Sequence, residues 1–184
     1  MTMTLGEGKR RVLMLLDEYS SGGALTLNED LSVRMNDFFD VAQKDMAAWQ
    51  PVMRRRELTL DGTGRTALPE DVKSVLRIRR NGVRTLRYEV LDGRILSQPG
   101  DCSVLTLDYL AQPASITAGT PDDYEFELSE DAANCLPLFV AAQQLIADVT
   151  VDYGAFYNLY LQMRGALPRA AQAPGGVRQA FYRG

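Results

Sequence analysis

The sequence predicts an α+β protein that is mainly helical. Two N-terminal helices and one long C-terminal helix would form a helical bundle, with a small antiparallel β-sheet inserted between them and an extended C-terminal arm. Three observations carry this. Apolar residues recur every three or four positions near both ends of the chain, the spacing of one helix face. The middle of the chain instead alternates around Asn81-Gly82 and Asp92-Gly93, the dipeptides of tight β-hairpins. The last residues contain Pro174-Gly175-Gly176, which no helix continues through. The expected organisation is one domain over residues 1–167, with helices at about 4–56 and 129–165 and the β-region at about 57–127. The arm would occupy 168–184.

The first helix opens at Thr4-Leu5-Gly6-Glu7, where a hydroxyl and a carboxylate three apart can each satisfy a free amide of the first turn. Val12, Leu15, Leu16 and Tyr19 form its apolar stripe, and Ser20-Ser21-Gly22-Gly23 ends it. Thr26-Leu27-Asn28-Glu29 repeats the capping device. Leu31, Met35, Phe38, Ala42, Met46, Trp49 and Met53 then give the second helix an apolar side. Pro51 kinks or ends it, and Arg54, Arg55 and Arg56 close it as cations favoured by the helix dipole.

Residues 74–80 and 83–88 flank Asn81-Gly82, whose type I′ turn needs φ > 0 at both central positions. Residues 86–91 and 94–97 flank Asp92-Gly93 in the same manner, and 104–110 reads as a further strand. The expected sheet has three to five strands. Ser129 then caps the last helix, with Glu130 and Asp131 in its first turn. Phe139, Ala142, Ile146, Val149, Tyr153, Phe156, Tyr160 and Met163 run as one stripe to Gly165.

Composition narrows the function. Hydrophobic residues make up 46% and charged residues 24%, the balance of a globular protein, and no apolar run reaches the ~20 residues of a membrane span. The start of the chain lacks the features of a signal peptide, so a cytoplasmic setting is expected, with Cys102 and Cys135 reduced. There is no histidine, which removes the commonest general base and metal ligand and lowers the expectation of an enzyme. Neither a cofactor nor a metal is expected. The net charge of −4 argues against a general nucleic-acid binder, yet 17 of the 20 basic residues are arginine, the cation favoured at protein contacts.

Several clusters have a plain reading beside a functional one. Asp61-Gly62-Thr63-Gly64 lacks the lysine and helix of a phosphate loop and reads as a turn. Asp122, Asp123, Glu125 and Glu127 lack the spacing of a calcium loop and read as a solvated approach to the last helix. Tyr153, Phe156, Tyr157 and Tyr160 read as packing between helices or subunits rather than as a stacking platform. In the tail, Val177, Arg178, Phe181, Tyr182 and Arg183 are hot-spot residue types on a Pro-Gly leash, expected to order on a neighbouring protein.

Four places taken together carry a resemblance. They are Leu5-Gly6-Glu7-Gly8-Lys9-Arg10; Arg34-Met35-Asn36-Asp37 with Ala42-Gln43-Lys44-Asp45; Leu68-Pro69-Glu70-Asp71 with Leu107-Asp108-Tyr109-Leu110-Ala111-Gln112-Pro113-Ala114-Ser115-Ile116; and Asp122-Asp123-Tyr124-Glu125-Phe126-Glu127-Leu128 leading into Leu136-Pro137. In this order, over nearly the whole chain, the sequence resembles the head–tail connector (adaptor) proteins of tailed phages. The resemblance implies a structural virion protein of the head–tail neck, assembled in the host cytoplasm and not an enzyme. It implies a homo-oligomer, a dodecameric ring beneath the portal protein, through whose lumen DNA passes without specific binding. Arg178, Phe181, Tyr182 and Arg183 would then bind the portal. Asn81, Gly82, Asp92 and Gly93 at the hairpin tips would meet the next neck or tail protein, a stopper or tail tube. The rival reading is a DNA-binding or regulatory module using Arg54, Arg55 and Arg56 with Arg77, Arg79, Arg80, Arg84 and Arg87.

Overall fold

Thr4 and Glu7 form the reciprocal pair their spacing predicts. The Thr4 amide donates to Glu7 Oε2 (3.0 Å) and the Glu7 amide to Thr4 Oγ1 (3.3 Å), opening α1 (Leu5–Asp17). The computed structural model describes residues 2–17, 29–85, 88–97, 104–146 and 153–168. The second predicted capping box, at Thr26, lies outside them. By its internal contacts the chain divides into two compact units, a helical one built from Met1–Gln50 and Pro113–Ala170 and a β one built from Pro51–Gln112.

The helical unit contains α1, α2 (Glu29–Trp49), the single turn α3 (Glu130–Ala133), α4 (Leu136–Leu145) and α5 (Tyr153–Ala166). Ser129 caps α3 as expected, its Oγ accepting from the Ala132 amide. Apolar on every side, α4 is buried continuously from Leu136 to Ala142 and packs against α1, α2 and α5. Its neighbours contribute Leu5, Val12 and Leu16 from α1, Met35, Phe39 and Met46 from α2, and Phe156 and Tyr160 from α5. The inner face of α2 centres on Phe39, with Phe38 only half-buried. Gly8 makes room for that ring, since a Cβ there would lie 2.9 Å from Phe39 Cζ.

Residues 113–128 form neither strand nor regular helix, so their backbone polar groups need partners elsewhere. Gln43, fully buried, supplies two and holds a side chain as well: Nε2 donates to the Ala114 carbonyl (3.1 Å), while Oε1 accepts from the Glu127 amide (3.1 Å) and from the Tyr124 side-chain hydroxyl (3.2 Å). Asn36 donates to the Thr117 carbonyl (2.9 Å) and Asp40 accepts from the Ile116 amide (2.9 Å). The start of α1 closes the same loop, with the Leu5 and Gly6 amides donating to the Tyr124 and Asp122 carbonyls. Lys9, only 3% exposed, reaches Asp122 (2.7 Å) and Ser32 (2.9 Å).

The β unit holds seven strands among the described residues: β1 (Val52–Thr59), β2 (Arg65–Ala67), β3 (Val72–Arg80), β4 (Val83–Thr85), β5 (Tyr88–Leu91), β6 (Arg94–Ser97) and β7 (Val104–Ala111). They form two sheets, ordered β1-β7-β3-β4 and β2-β6-β5, with every pair antiparallel. Leu105, Leu107, Tyr109 and Ala111 alternate inward along β7 and share a core with Leu58, Val75, Ile78 and Ile95. Both predicted hairpins form: Asn81 and Gly82 have φ of 50° and 78°, Asp92 and Gly93 of 50° and 70°.

The mainly helical bundle is corrected. The protein is α+β with a substantial sheet, seven strands in two sheets rather than three to five in one. Three errors produced that expectation. The second helix ends at Trp49, not near 56: Pro51 cannot continue it, and Val52–Thr59 pair residue for residue with β7. The β unit runs from 51 to 112 rather than 57 to 127, because 113–128 is bound to the helices. The long last helix is also broken. The rings of Phe139 and Tyr160 lie 5.3 Å apart, whereas a continuous helix would separate those positions by about 32 Å. The chain therefore reverses between α4 and α5, and the two helices pack as a pair.

Candidate functional site

Two β-bulges decide which side chains share a face of the β1-β7-β3-β4 sheet. In β3 the register with β7 slips at Lys73 and again at Leu76. Simple alternation would place Val75, Arg77 and Arg79 together. After the slip, Val75 opposes Tyr109 and Ile78 opposes Leu107, both turned to the core, while Arg77 opposes Asp108 and Arg79 opposes Thr106 on the outer face. Arg84 of β4 lies directly across from Arg79, and Arg55 of β1 directly across from Asp108. Residues directly opposite in an antiparallel pair point to the same side. The outer face thus gathers Arg55, Arg77, Arg79 and Arg84 with two carboxylates, Asp108 of β7 and exposed Glu57 of β1.

Asp108 holds this group in order. Its Oδ1 accepts from Arg55 Nε at 2.6 Å and its Oδ2 lies 3.2 Å from Arg79 Nη2. The hydrogen bond and charge of Asp108 raise the Arg55 guanidinium above its ordinary value. Beside the arginines the face carries Glu57, Thr59 and Thr106 together with exposed apolar side chains. Met53 opposes Leu110 on β7, and Val104 ends the same row; Met53 is 69% exposed and Val104 39%. Arginine and methionine are residue types enriched at protein contacts.

Charge is divided between the units. Residues 51–112 carry 11 basic and 8 acidic side chains, a net +3, residues 1–50 and 113–170 carry 7 basic and 16 acidic, a net −9, and 171–184 add two arginines. The overall −4 conceals this division.

Arg54, Arg55 and Arg56, expected together at a helix end, are separated by the strand. Arg54 turns to the opposite side from Arg55 and pairs with Asp71 (2.6 Å), which also accepts from the Tyr109 hydroxyl (3.1 Å). With Arg56 they line an open cleft of about 650 Å³ beside Leu68 and Pro69. Burial and then the Asp71 hydrogen bond raise the Tyr109 phenol above its ordinary value. Of the hairpin arginines, Arg80 opposes Leu105 on the inner side, and Arg87 lies outside the described residues.

The other sequence-predicted sites fall as follows. Asn81 and Gly82 form the exposed tip of the β3–β4 hairpin, and Asp92 and Gly93 that of the β5–β6 hairpin, so the two tips belong to different sheets. Arg178, Phe181, Tyr182 and Arg183 lie outside the described residues, as does Cys102; Cys135 is a buried free thiol. Asp61 accepts from the Thr63 and Arg65 amides (2.8 and 2.9 Å), fixing a turn. In the acidic segment Asp122 pairs with Lys9 and Glu127 accepts from the Ala114 amide (3.0 Å), while Asp123 and Glu125 stand exposed. Among the described residues no group of three or more acidic or cysteine side chains converges as a metal site, and no helix is long and apolar enough to cross a membrane.

Aromatic residues of α5 divide between core and surface. Phe156 and Tyr160 are buried, and Tyr153 and Tyr157 are 44% and 37% exposed. Asp45 of α2 accepts from the Tyr160 hydroxyl (2.5 Å) and from Arg164, whose guanidinium stacks 4.9 Å over Trp49. Burial first, and then this bond to Asp45, push the Tyr160 phenol well above its ordinary range.

Sequence reasoning missed Asp108, Met53 and Val104 as members of one face. Asp108 was visible as the lone charge in the strand 104–111, but the slip at Leu76 that brings Arg77 and Arg79 to it leaves no mark on alternation. No protein-family model and no curated protein sequence matches this chain.

Proposed function

We propose that this chain is a non-enzymatic structural subunit of a phage virion, one segment of a ring that connects the portal of the head to the tail. The observation that carries the reading is the outer face of the β1-β7-β3-β4 sheet, where ordered arginines stand beside exposed Met53 and Val104. Such a face suits a second protein surface, and a subunit with two different complementary surfaces closes into a ring. Convergence of the connector-like motifs adds support: Lys9, Gln43 and the 122–127 segment meet in one hydrogen-bonded scaffold.

In this reading the ring is dodecameric and DNA passes through its lumen without specific binding. Arg178, Phe181, Tyr182 and Arg183 dock on the portal, and the tips at Asn81-Gly82 and Asp92-Gly93 face the stopper or tail tube. Electron microscopy of the purified chain, alone and mixed with portal protein, tests it. Rings in either sample are expected; a monomer in both sinks the proposal.

One observation favours a second reading. The arginines gathered on a unit of net +3 suit a DNA-binding module. That module would retain a short DNA duplex at low salt and release it steeply as salt rises.

A further inference from the structure

We infer that the free edge of β1 pairs antiparallel with the same edge of a second copy of the chain, making one continuous sheet across a two-fold axis at Arg56. β1 ends its sheet and matches β7 through eight consecutive residue pairs without a slip. It has no proline and no bulge, whereas exposed edges are ordinarily short, kinked or covered. The β3–β4 hairpin fixes which of its backbone groups are bare. Arg80 and Val83 flank a two-residue turn and hydrogen-bond to each other, so Arg79 turns its backbone to β7 and Thr106 answers it. Directions alternate along β7, so Leu105, Leu107, Tyr109 and Ala111 bond Leu58, Arg56, Arg54 and Val52. The amides and carbonyls of Met53, Arg55, Glu57 and Thr59 therefore point away from the sheet. None of them has a hydrogen-bond partner among the described residues.

One register satisfies all four. With the axis at Arg56, Met53 stands across from Thr59 of the second copy, and Arg55 across from Glu57 of the second copy. Opposite charges then face each other twice on the outer side of the sheet. Arg55 holds Asp108 through Nε and keeps its outer nitrogens for a second carboxylate, while exposed Glu57 has no partner among the described residues. Sliding the second strand by two residues, the smallest shift that keeps the faces together, sets Arg55 against Arg55 or Glu57 against Glu57. Like charges so placed destabilise a pair. Charges on an edge ordinarily guard it against pairing; the order of these selects a single pairing.

The other side of the edge carries the cost. There Arg56 meets Arg56 of the second copy at the axis, and Arg54 meets Leu58 of the second copy. Arg54 is already paired with Asp71 (2.6 Å), and exposed Arg56 lines an open cleft with Glu70, into which its guanidinium turns away from its counterpart. Among the described residues the other end strands, β2, β4 and β5, have three, three and four residues, too few to cover the eight of β1. The contact uses the same strand on both copies, so it goes beyond the ring reading and does not rest on it.

The test cross-links the full-length chain at the axis. Facing residues of this kind of pair have Cα atoms about 4.5 Å apart, within disulfide reach. Oxidation of Arg56→Cys in air is therefore expected to join position 56 of two copies, identified by peptide mass spectrometry. Thr59→Cys, also exposed, lies about 20 Å from its counterpart and is expected not to link. Sedimentation then follows the dimer. Glu57→Pro removes an outward amide where an edge strand tolerates proline, and is expected to abolish it. Glu57→Arg, which serves if the proline variant does not fold, weakens it about tenfold, and Arg56→Thr relieves the axis and tightens it several-fold. A wild type that never pairs, or Arg56→Cys linking no faster than Thr59→Cys, overturns the inference. Rings that form equally well in Glu57→Pro, with no link at position 56, overturn this pairing and leave the ring reading intact. Links at position 56 in a chain that forms no ring, alone or with portal protein, support this pairing and sink the ring reading.

Discussion

The helical and β units solve the problem of burying polar backbone in opposite ways. Seven strands satisfy one another along their edges, so the β unit needs few side chains for that purpose and spends its polar residues on its surface. The helical unit must hold an irregular segment, 113–128, and does so with buried Gln43, Asn36 and Lys9. The difference teaches where each unit is free to change. Outer-face arginines of the sheet can vary without touching its core, whereas polar residues on the inner side of α2 cannot be altered without orphaning a buried backbone group, a loss of ~1–3 kcal/mol each.

The strongest way to break the comparison is to empty each core in turn. Phe39→Ala is expected to destabilise the helical unit by about 3–5 kcal/mol and Leu107→Ala the β unit by about 2–5 kcal/mol. Hydrogen exchange checks the location of each loss: Phe39→Ala should speed the amides of α1, α2 and α4, and Leu107→Ala those of β1, β3 and β7. The same exchange pattern for both variants would show that the two cores unfold as one.

A smaller effect is expected at the β3–β4 tip. Gly82 holds φ at 78° with open space around its Cα, so Gly82→Ala brings backbone strain without a clash, about 1 kcal/mol by thermal melting. Among the described residues no glycine of the helical unit has a positive φ; Gly8→Ala would act through its clash with Phe39 instead.

The smallest effect concerns alkaline pH and is shared by both units. Tyr160 and Tyr109 have phenols raised above their ordinary value, by burial first and then by Asp45 and Asp71. Below about pH 10 both folded and unfolded chains keep these phenols protonated, and their stabilising contribution is whole. As pH rises further the unfolded chain loses the protons first, so stability falls. Tyr160→Phe should cost about 1 kcal/mol at neutral pH and flatten that alkaline loss. Urea midpoints compared at about pH 8 and about pH 11 would show it; an unchanged slope would mean that Tyr160 is not the group responsible. Tyr109→Phe applies the same test to the sheet.

Local chemistry explains what was legible beforehand. The Thr4–Glu7 capping box, the Ser129 cap and the turns at Asn81-Gly82 and Asp92-Gly93 each depend on residues within four positions, and all were readable. The apolar period runs from Phe139 through Tyr160 across two separate helices: Phe139, Phe156 and Tyr160 are buried, Ile146 and Tyr153 are exposed, and α4 is buried on every side from Leu136 to Ala142. Periodicity therefore could not reveal the break, and Met53 joined the helical stripe by coincidence of spacing although it lies on a strand.

By itself the sequence determined the local elements that rest on short-range hydrogen bonds and φ preferences, together with the composition that disfavours histidine-based catalysis. Tertiary structure alone decided that a strand follows Pro51, that 113–128 belongs to the helices, and that Arg55, Arg77 and Arg79 share a face with Asp108. Each of these depends on a partner more than ten residues away, and a register slip of one residue moves a side chain to the other face of its sheet.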